Sequence, residues 1–377
     1  MAHLIDAPAG LEGVVAAETS IGDVRGDEGY YHYRGHSAAA LAVGQSFEAV
    51  WHLVHRGTLP DASGLDAFRR ETAALRPLPA FVHDALPAIA TVGSPMSALR
   101  TALSLAGQDM RPWLDLAPEQ RERQALRLAA ITPTLVAALW RVKNGQAPVA
   151  PDPSLGLAAD YLRMIHGTPP TDEAARAVER YLLLTIDHGF NASTFTARVV
   201  ASTGADFAAA AVAGVGALSG PLHGGAPSLV VDMLREIGTR GQAREWVEHR
   251  LASGQRIMGF GHRVYRTEDP RSAVLKATAL ALGGEMVDLA VEVERIALEL
   301  LDTKYPERKL RTNVEFYAGI VLHEIGLPSP LYPPTFAVSR MIGWMAHVLE
   351  QTRANRIIRP SSRYVGALHA ETHAARV

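Results

Sequence analysis

Side chains capable of acid, base or anion-binding chemistry are concentrated in five short stretches that also contain glycine. They are DHGFNAST at 187–194, GPLHGGA at 220–226, GFGHRVYRTEDPR at 259–271, RKLRTNVEFYAG at 308–319 and RPSSRYVG at 359–366. Glycine lets the backbone approach a ligand closely, and loops carry catalytic and binding groups disproportionately often. Together the stretches predict a site for acid or base chemistry, although each taken alone also fits an ordinary turn.

Two histidines within these stretches have surroundings that suit catalysis. His223 lies between Gly-Pro and Gly-Gly after an alanine-rich run, which places it at a helix boundary, where a catalytic role and a plain turn are equally good interpretations. His262 is followed by Arg263 and Arg266, and nearby cations keep a histidine neutral at physiological pH. A neutral imidazole donates one hydrogen bond and can polarise a carbonyl without burying a charge. An enolisation catalyst needs that property.

Several other kinds of site are not supported. The chain has no cysteine, which rules out disulfides, thiolate nucleophiles and cysteine-ligated zinc. GVGALSG at 214–220 resembles a dinucleotide-binding glycine pattern but belongs to a helical run with no preceding strand, so it indicates close helix packing. His52 and His55 lack a nearby third ligand, and a helix surface is the better interpretation. No metal site is predicted.

Composition is that of an ordinary globular protein. Hydrophobic residues make up 48% and charged residues 20% of the 377 positions, and 37 basic against 39 acidic residues give a net charge of -2. This balance predicts no general attraction to nucleic acid or anionic membranes. The longest near-apolar run noted, 207–218, is shorter than the roughly 20 residues needed to cross a bilayer, and no secretory signal is evident. We therefore expect a cytoplasmic protein.

The elements that must position the five stretches are mostly helical. IGDVRGDEGYYHYRG at 21–35 predicts a small hairpin, whereas apolar residues at helical spacing predict helices elsewhere. These helices cover 37–56, 64–75, 117–143, 172–188, 205–218 and about 285–302. Proline-rich breaks at 76–80, 147–153, 167–170 and 326–334 are predicted to end helices, because proline lacks an amide proton. The predicted class is all-α with minor β structure near the N-terminus, and the length favours two domains around a cleft.

Taken together and in this order, the stretches resemble those of citrate synthases, in particular the shorter bacterial and archaeal type. The similarity runs from GLEGVVAAETSIGDV near residue 10 to RPSSRYVG near residue 366, and GPLHGGA, GFGHRVYRTEDPR and NVEFYAG are its most specific motifs. The resemblance implies a two-domain helical fold with a large domain, 1–221 and 327–377, and a small domain, 222–326, that closes over the cleft. It also implies a homodimer with a shared active site.

The family chemistry joins acetyl-CoA to oxaloacetate and then hydrolyses citryl-CoA to citrate and CoA. By resemblance, His223 stabilises the enol of the thioester, His262 polarises the keto group of oxaloacetate, and the carboxylate at 315 is the base. His188, Asn191, Arg271, Arg340 and Arg359 form the predicted oxaloacetate site, with Arg359 supplied by the partner subunit. A dianionic substrate suits several guanidinium groups, because only arginine offers a rigid bidentate fork to a carboxylate.

The same resemblance places CoA, which is substrate and product rather than a permanently bound cofactor. The predicted CoA-binding residues are Gly259, Phe260, Gly261, Arg266, Arg308, Lys309 and Arg311. No permanently bound cofactor is predicted. For each of the basic residues, an exposed turn without a ligand is the competing interpretation.

One position departs from the family pattern, which has Asn-Val-Asp where this chain has Asn313, Val314 and Glu315. Glutamate and aspartate differ in intrinsic acidity by only about 0.4 unit, but a misplacement of about 1 Å can cost on the order of a hundredfold in rate. Three interpretations follow: Glu315 is still the base, the enzyme is slow, or the chain is a paralogue with altered chemistry. The competing functions are a 2-methylcitrate synthase that uses propionyl-CoA and a non-catalytic protein that binds CoA and oxaloacetate.

Overall fold

The computed structural model describes residues 5–223, 226–262, 265 and 267–367. Within them, three short strands precede sixteen α-helices. The strands are β1 (Gly22–Arg25), β2 (Tyr30–Tyr33) and β3 (His36–Ser37). The helices are α1 (Ala38–Gly44), α2 (Phe47–Arg56), α3 (Ala62–Ala73), α4 (Ala80–Ala90), α5 (Pro95–Ala106), α6 (Pro118–Lys143), α7 (Leu157–His166), α8 (Asp172–Thr185), α9 (Ala192–Ser202), α10 (Phe207–Leu218), α11 (Ala226–Ile237), α12 (Arg240–Ala252), α13 (Pro270–Leu282), α14 (Glu285–Lys304), α15 (Val314–Glu324) and α16 (Tyr332–Arg353).

The three strands form an antiparallel sheet in the order β1-β2-β3, which confirms the predicted hairpin. Alternation along β2 points Tyr31 and Tyr33 towards the core, where both are buried. The Tyr31 hydroxyl donates to the carbonyl of Leu184, 2.9 Å away, and the Tyr33 hydroxyl donates to that of Leu183 at 3.0 Å. The hairpin is therefore fastened to the end of α8.

Helices α6 and α16 are the centre of the core and pack against each other. By length and composition α6 alone among the described helices could cross a membrane, but 78% of its most apolar window is buried inside the protein. It therefore has the burial of a core helix. Gly214 of α10 lies against α16, because a Cβ there would come within 2.9 Å of the Trp344 ring. This contact confirms the close packing predicted for GVGALSG.

The predicted helices are present, but several boundaries differ. The segment 37–56 is two helices, since the Ser46 side chain accepts the Ala49 amide and caps α2. Helix α8 ends at Thr185, so Asp187 and His188 lie in a loop rather than in the helix predicted to reach 188. Each of the four proline-rich breaks follows the end of a helix, as predicted, and Pro333 and Pro334 of the last break also lie in the first turn of α16. A first-turn position needs no amide proton, so proline starts a helix there.

The five helices α11 to α15 follow the turn at 220–223 and pack largely on one another. Helices α11 and α13 both pack against α15, and α12 packs against α14. Their connections carry parts of two predicted chemical stretches, of which the structure describes 259–262, 265 and 267–269 in one and 305–313 in the other. The start of α15 is thereby held beside the start of α13.

Candidate active site

Five parts of the chain meet at one location. They are the loop 187–191 before α9, the turn at 220–223, the loop from 259 to the start of α13, the first turn of α15, and the middle of α16. Charges on Arg271 and Arg340 act on His188, and those same two arginines act on Glu315. The structure thus brings together residues that are up to 152 positions apart in the sequence.

His223 is held with one ring nitrogen facing α9. Its Nε2 accepts the backbone N–H of Ser193 at 3.3 Å and lies 2.8 Å from the Ser193 hydroxyl. Because a backbone amide can only donate, Nε2 is an acceptor and a neutral ring carries its proton on Nδ1. Burial, assisted by the charge of Arg340, lowers the pKa of His223 to about 4. The imidazole is neutral above pH 5 and presents one donor at Nδ1.

His262 is fixed in the opposite tautomer. The backbone N–H of Tyr265 donates to His262 Nδ1 at 3.0 Å, so the neutral ring carries its proton on Nε2. Burial, followed by the charge of Arg271, lowers the pKa of His262 to about 4. Nε2 lies 3.3 Å from Nη2 of Arg271, which can also only donate. Two donors that converge in this way suit an oxygen acceptor between them, such as a carbonyl.

His188 and Tyr265 complete one wall of this region. His188 Nε2 is 3.2 Å from the Tyr265 hydroxyl, and its ring lies edge-on to those of His262 and Tyr265. Burial and then the charges of Arg271 and Arg340 lower the pKa of His188 well below its usual value. His188 is therefore a neutral hydrogen-bonding group at neutral pH.

Two buried arginines supply positive charge. Arg271 forms a two-pronged ion pair with Asp269, whose charge raises the guanidinium pKa although burial opposes it. Arg340 donates from Nε to the Thr185 carbonyl at 2.9 Å and stacks over the Phe336 ring. Burial lowers the pKa of Arg340, and among the described residues no carboxylate forms an ion pair with it. A buried guanidinium without a carboxylate partner favours an anionic ligand.

Glu315 is the second residue of α15, and its backbone N–H donates to the Asn313 side chain at 3.0 Å. Burial raises the pKa of Glu315 to about 7, and the charge of Asp269 acts in the same direction. The charges of Arg271 and Arg340 oppose this rise but do not cancel it. A carboxyl with a pKa near the working pH is suited to accept a proton from carbon.

The loop 187–191 is braced from behind by α16. Asp187 lies 3.1 Å from Nε2 of His347, and its other oxygen accepts the Gly189 amide at 3.1 Å. Burial opposes ionisation, but His347 and Arg340 together hold the pKa of Asp187 below its usual value. Arg198 donates to His347 Nδ1 at 3.3 Å, which leaves Nε2 as the donor towards Asp187. The loop that carries His188 is thereby fixed.

The glycine-containing loop 259–261 lies along the segment before α15. Gly261 N–H donates to Arg311 O at 2.8 Å, and Asn313 N–H donates to Gly259 O at 2.9 Å. Gly259 has a φ of +86°, and a Cβ there would come within 2.6 Å of Phe316. Only glycine fits this position, which lets the loop pack directly against the first turn of α15.

The other predicted residues lie in different settings. Arg308 and Lys309 are exposed, and Arg311 forms an ion pair with Asp302 at 2.6 Å. Arg266 lies outside the described residues. Arg359 is exposed in the extended segment after α16, and it forms no hydrogen bond or ion pair with another described residue. The structure thus places Arg308, Lys309 and Arg311 in the segment that lies along the loop 259–261. It does not bring Arg359 to the site within one chain.

Asn191 has a local structural role that the sequence did not indicate. Its side chain caps α9 by accepting the Thr194 amide at 3.1 Å, and it accepts the Ser193 hydroxyl at 2.8 Å. Sequence reasoning missed Ser193, Asp269, Tyr265 and Trp344, whose indole donates to Ser193 at 3.1 Å. DPR follows His262 closely, so that motif could have drawn attention to Asp269. The other contacts depend on the tertiary structure.

His52 and His55 have separate partners. His52 Nδ1 is 2.8 Å from the Thr58 carbonyl, whereas His55 is buried with Nε2 3.0 Å from the Ile342 carbonyl. The surface position expected of both histidines is therefore wrong for His55. Burial lowers the pKa of His55 to about 3, so it is a neutral core histidine.

The chain matches a family model described as "Citrate synthase, C-terminal domain" over residues 10–361. It is 41% identical over 362 residues to "Citrate synthase" of Haloferax volcanii, covering 95% of each chain. It is 38% identical to "Citrate synthase 2" of Bacillus subtilis, covering 96% of each. Among solved structures, citrate synthase from Pyrobaculum aerophilum matches with a TM-score of 0.89 at 34% identity, covering 98% of this chain and 97% of that one.

A second solved structure was determined with ligands. It is a ternary complex of citrate synthase from Thermoplasma acidophilum with carboxymethyl coenzyme A and oxaloacetate. It matches with a TM-score of 0.87 at 28% identity and covers 96% of each chain. These similarities extend over nearly the whole chain rather than over one motif.

Proposed function

The chain belongs to the citrate synthase family, and from that premise we propose that it condenses acetyl-CoA with oxaloacetate and hydrolyses citryl-CoA to citrate and CoA. One observation supports this most directly. Two neutral histidines in opposite tautomers lie in the same region as a carboxyl whose pKa is raised to about 7. Such a set can remove a proton from carbon while it donates hydrogen bonds to two different carbonyl oxygens.

The first step is enolisation of the thioester. The Glu315 carboxylate takes a proton from the acetyl methyl group, and the electron pair of the C–H bond moves into the new C=C bond. Charge then develops on the thioester oxygen, which the Nδ1–H of His223 stabilises. The methyl group is a very weak carbon acid, so the step depends on a preorganised donor in a site from which water is excluded.

The second step forms the carbon-carbon bond. The enol carbon attacks the keto carbon of oxaloacetate, and the keto oxygen becomes an alkoxide between the Nε2–H of His262 and the Arg271 guanidinium. Arg340 pairs with a substrate carboxylate, and His188 hydrogen-bonds to the substrate. Asn191 acts by shaping the loop that carries His188. Protonation of the alkoxide gives citryl-CoA, and addition of water to its thioester then releases citrate and CoA.

CoA is proposed to lie along the loop 259–261 rather than to remain bound as a cofactor. The adenine would contact the backbone of Gly259, Phe260 and Gly261, in a loop that the positive φ angles of its two glycines hold against Phe316 and Leu310. Arg308, Lys309 and Arg311, together with Arg266, would pair with its phosphates. Carboxymethyl coenzyme A in the Thermoplasma acidophilum complex supports this ligand class.

We further propose a cytoplasmic homodimer with a shared active site, in which the large domain, 1–221 and 327–377, is closed by the small domain, 222–326. Arg359 is exposed and forms no hydrogen bond or ion pair with a described residue of its own chain, as expected if Arg359 of the partner subunit pairs with oxaloacetate. One face of α10 offers a candidate interface. Its half-buried residues are small or β-branched: Ala209, Val212, Ala213, Gly216 and Ala217.

A bulky residue on that face should separate the subunits. A Cβ at Gly216 meets nothing within 4 Å, so a single subunit can accommodate Gly216→Tyr. We expect this variant to be monomeric in light-scattering measurements and to lose oxaloacetate turnover with the dimer. Gly241→Tyr is the matched control, because Gly241 is also a helical glycine facing open space. A dimeric, fully active Gly216→Tyr protein would refute this interface.

The acyl preference is tested by thiol release with oxaloacetate and either acetyl-CoA or propionyl-CoA. The relatives named above are citrate synthases, which does not favour the 2-methylcitrate alternative. We expect kcat/KM to favour acetyl-CoA by about 10- to 200-fold, the range that one methylene gives in a fitted pocket. A preference for propionyl-CoA would reverse the assignment. Binding of both ligands by calorimetry without thiol release would show a non-catalytic protein.

A further inference from the structure

The carboxylate of Asp269 contacts two different parts of the site. Its Oδ1 accepts the Arg271 backbone N–H at 3.0 Å and Arg271 Nε at 2.9 Å. Its Oδ2 accepts Arg271 Nη2 at 2.8 Å and, from a different helix, the backbone N–H of Val314 at 3.1 Å. The side chain is 1% exposed. One buried carboxylate therefore holds both an arginine of the site and the first residue of α15.

The Val314 contact bears on Glu315 because the two residues are adjacent. Val314 is the first residue of α15, where helix amide protons have no partner within the helix. A charge-assisted hydrogen bond to that amide fixes where the helix begins, and Glu315 follows directly. The contact with Arg271 likewise fixes a guanidinium that has Nη2 3.3 Å from His262. Asp269 itself lies behind both groups.

We propose that Asp269 is a positioning residue that fixes Arg271 and Glu315 relative to each other through its single carboxylate. Because both groups are tied to this carboxylate, the position of Glu315, the base, depends on the position of Arg271, which binds oxaloacetate. This inference rests on the proposed function, and it adds a residue to which the mechanism above assigns no step. A displacement of either group by about 1 Å is enough to lower the rate by on the order of a hundredfold.

The plain alternative is that Asp269 only caps α13, since it occupies the cap position of that helix. Asparagine caps helices about as well as aspartate does. Asp269→Asn therefore keeps the cap and removes the carboxylate. One of the two carboxylate oxygens becomes an NH₂ group, which must then face N–H donors of Arg271 or Val314. Asp61→Asn is the matched control, because Asp61 caps α3 by accepting the Gly64 amide at 2.7 Å, far along the chain from the site residues.

For Asp269→Asn we expect kcat for thiol release to fall by about tenfold or more, and the oxaloacetate Kd from calorimetry to rise by a similar factor. Asp61→Asn should change neither quantity by more than about twofold. Equal behaviour of the two variants would reduce Asp269 to a helix cap and overturn the proposal. A change in only one of the two quantities would overturn the link between Arg271 and Glu315.

Asp269→Glu addresses the buried charge and keeps the proposal testable if the Asn variant does not fold. It retains a carboxylate for Arg271 but adds a methylene, so it cannot keep both sets of contacts at their present distances. We expect oxaloacetate affinity to recover while kcat stays low. Full recovery of both would show that only charge matters and would overturn the bridging role. An inactive wild type would refute the proposed function. Calorimetry needs no turnover, so the oxaloacetate Kd values of wild type and the Asp269 variants would still decide the role of Asp269.

Discussion

Replacement of Glu315 by glutamine is expected to lower kcat for CoA release by about 10²- to 10⁴-fold, the range that a positioned general base supplies. Glutamine has almost the same shape but cannot accept the methyl proton. The side chain takes part in no hydrogen bond with another described residue, so the fold should survive. Initial rates with a thiol reagent, together with the thermal midpoint of both proteins, measure this directly.

Glu324→Gln is the matched control, since Glu324 ends the same helix, α15. It should retain wild-type activity. Near-equal rates for wild type and Glu315→Gln would remove Glu315 from the mechanism. A wild-type rate within the ordinary range for the family would dispose of the alternative that the extra methylene makes the enzyme slow.

The same residue gives the reaction a pH dependence. A base works only when ionised, and burial raises the pKa of Glu315 to about 7. The rate should therefore be high above pH 8 and fall as the pH drops through 7. His223 and His262 stay neutral across this range, because their pKa values are lowered to about 4. The profile of kcat/KM reports the free enzyme, so its acidic limb should have a midpoint near 7.

His223→Ala is expected to lower kcat by about 10²- to 10³-fold, the usual cost of deleting one donor to a developing oxyanion. Alanine removes the Nδ1–H that the Ser193 amide directs away from α9. The oxaloacetate Kd should change by no more than about twofold, because among the described residues the His223 side chain hydrogen-bonds to Ser193 and not to the arginines. Stopped assays with saturating substrates and calorimetry measure the two quantities.

His249→Ala is the control for the loss of an imidazole, since His249 is exposed on α12. It should be fully active. If His223→Ala retained wild-type kcat, the thioester oxygen would need another donor, and the assignment of His223 would be wrong. A large loss of oxaloacetate affinity in this variant would instead place His223 at the other substrate.

How far the sequence predicts this protein depends on the range of the interactions involved. The hairpin at 21–35 and the helix at 285–302 depend on local alternation and helical spacing, and both are present. The neutral state expected of His262 agrees with its lowered pKa, for which burial is the main cause and Arg271 a further one among the described residues; Arg263 and Arg266 lie outside them. Local patterns thus reveal the element and the charge state but not the burial that causes it.

Contacts between distant segments lie beyond such patterns. The tautomer of His223 depends on Ser193, 30 residues away, and Ser193 in turn meets Trp344 across 151 residues. Proline-rich sequence at 326–334 indicates a break but does not reveal that α16 starts within it, because the effect of proline depends on whether it lies in the first turn of a helix. The roles of Arg340 and Arg359 came from family resemblance, since nothing near them in the sequence marks them as substrate ligands.

The hairpin is attached more firmly to α8 than to the loop before α13. Tyrosine hydroxyls buried at the end of α8 hold one side, whereas among the described residues the loop before α13 is joined to the hairpin by one exposed hydrogen bond, from Thr267 to the Gly26 carbonyl at 3.2 Å. Such a bond contributes only about 0.5–1.5 kcal/mol, which is comparable to the thermal energy. The Arg271 guanidinium, 5.5 Å from the Tyr31 ring centroid, is a second contact between this region and the strands. An outward movement of the loop would therefore break one exposed hydrogen bond and separate Arg271 from Tyr31, whereas the tyrosine hydroxyls would keep the strands on α8.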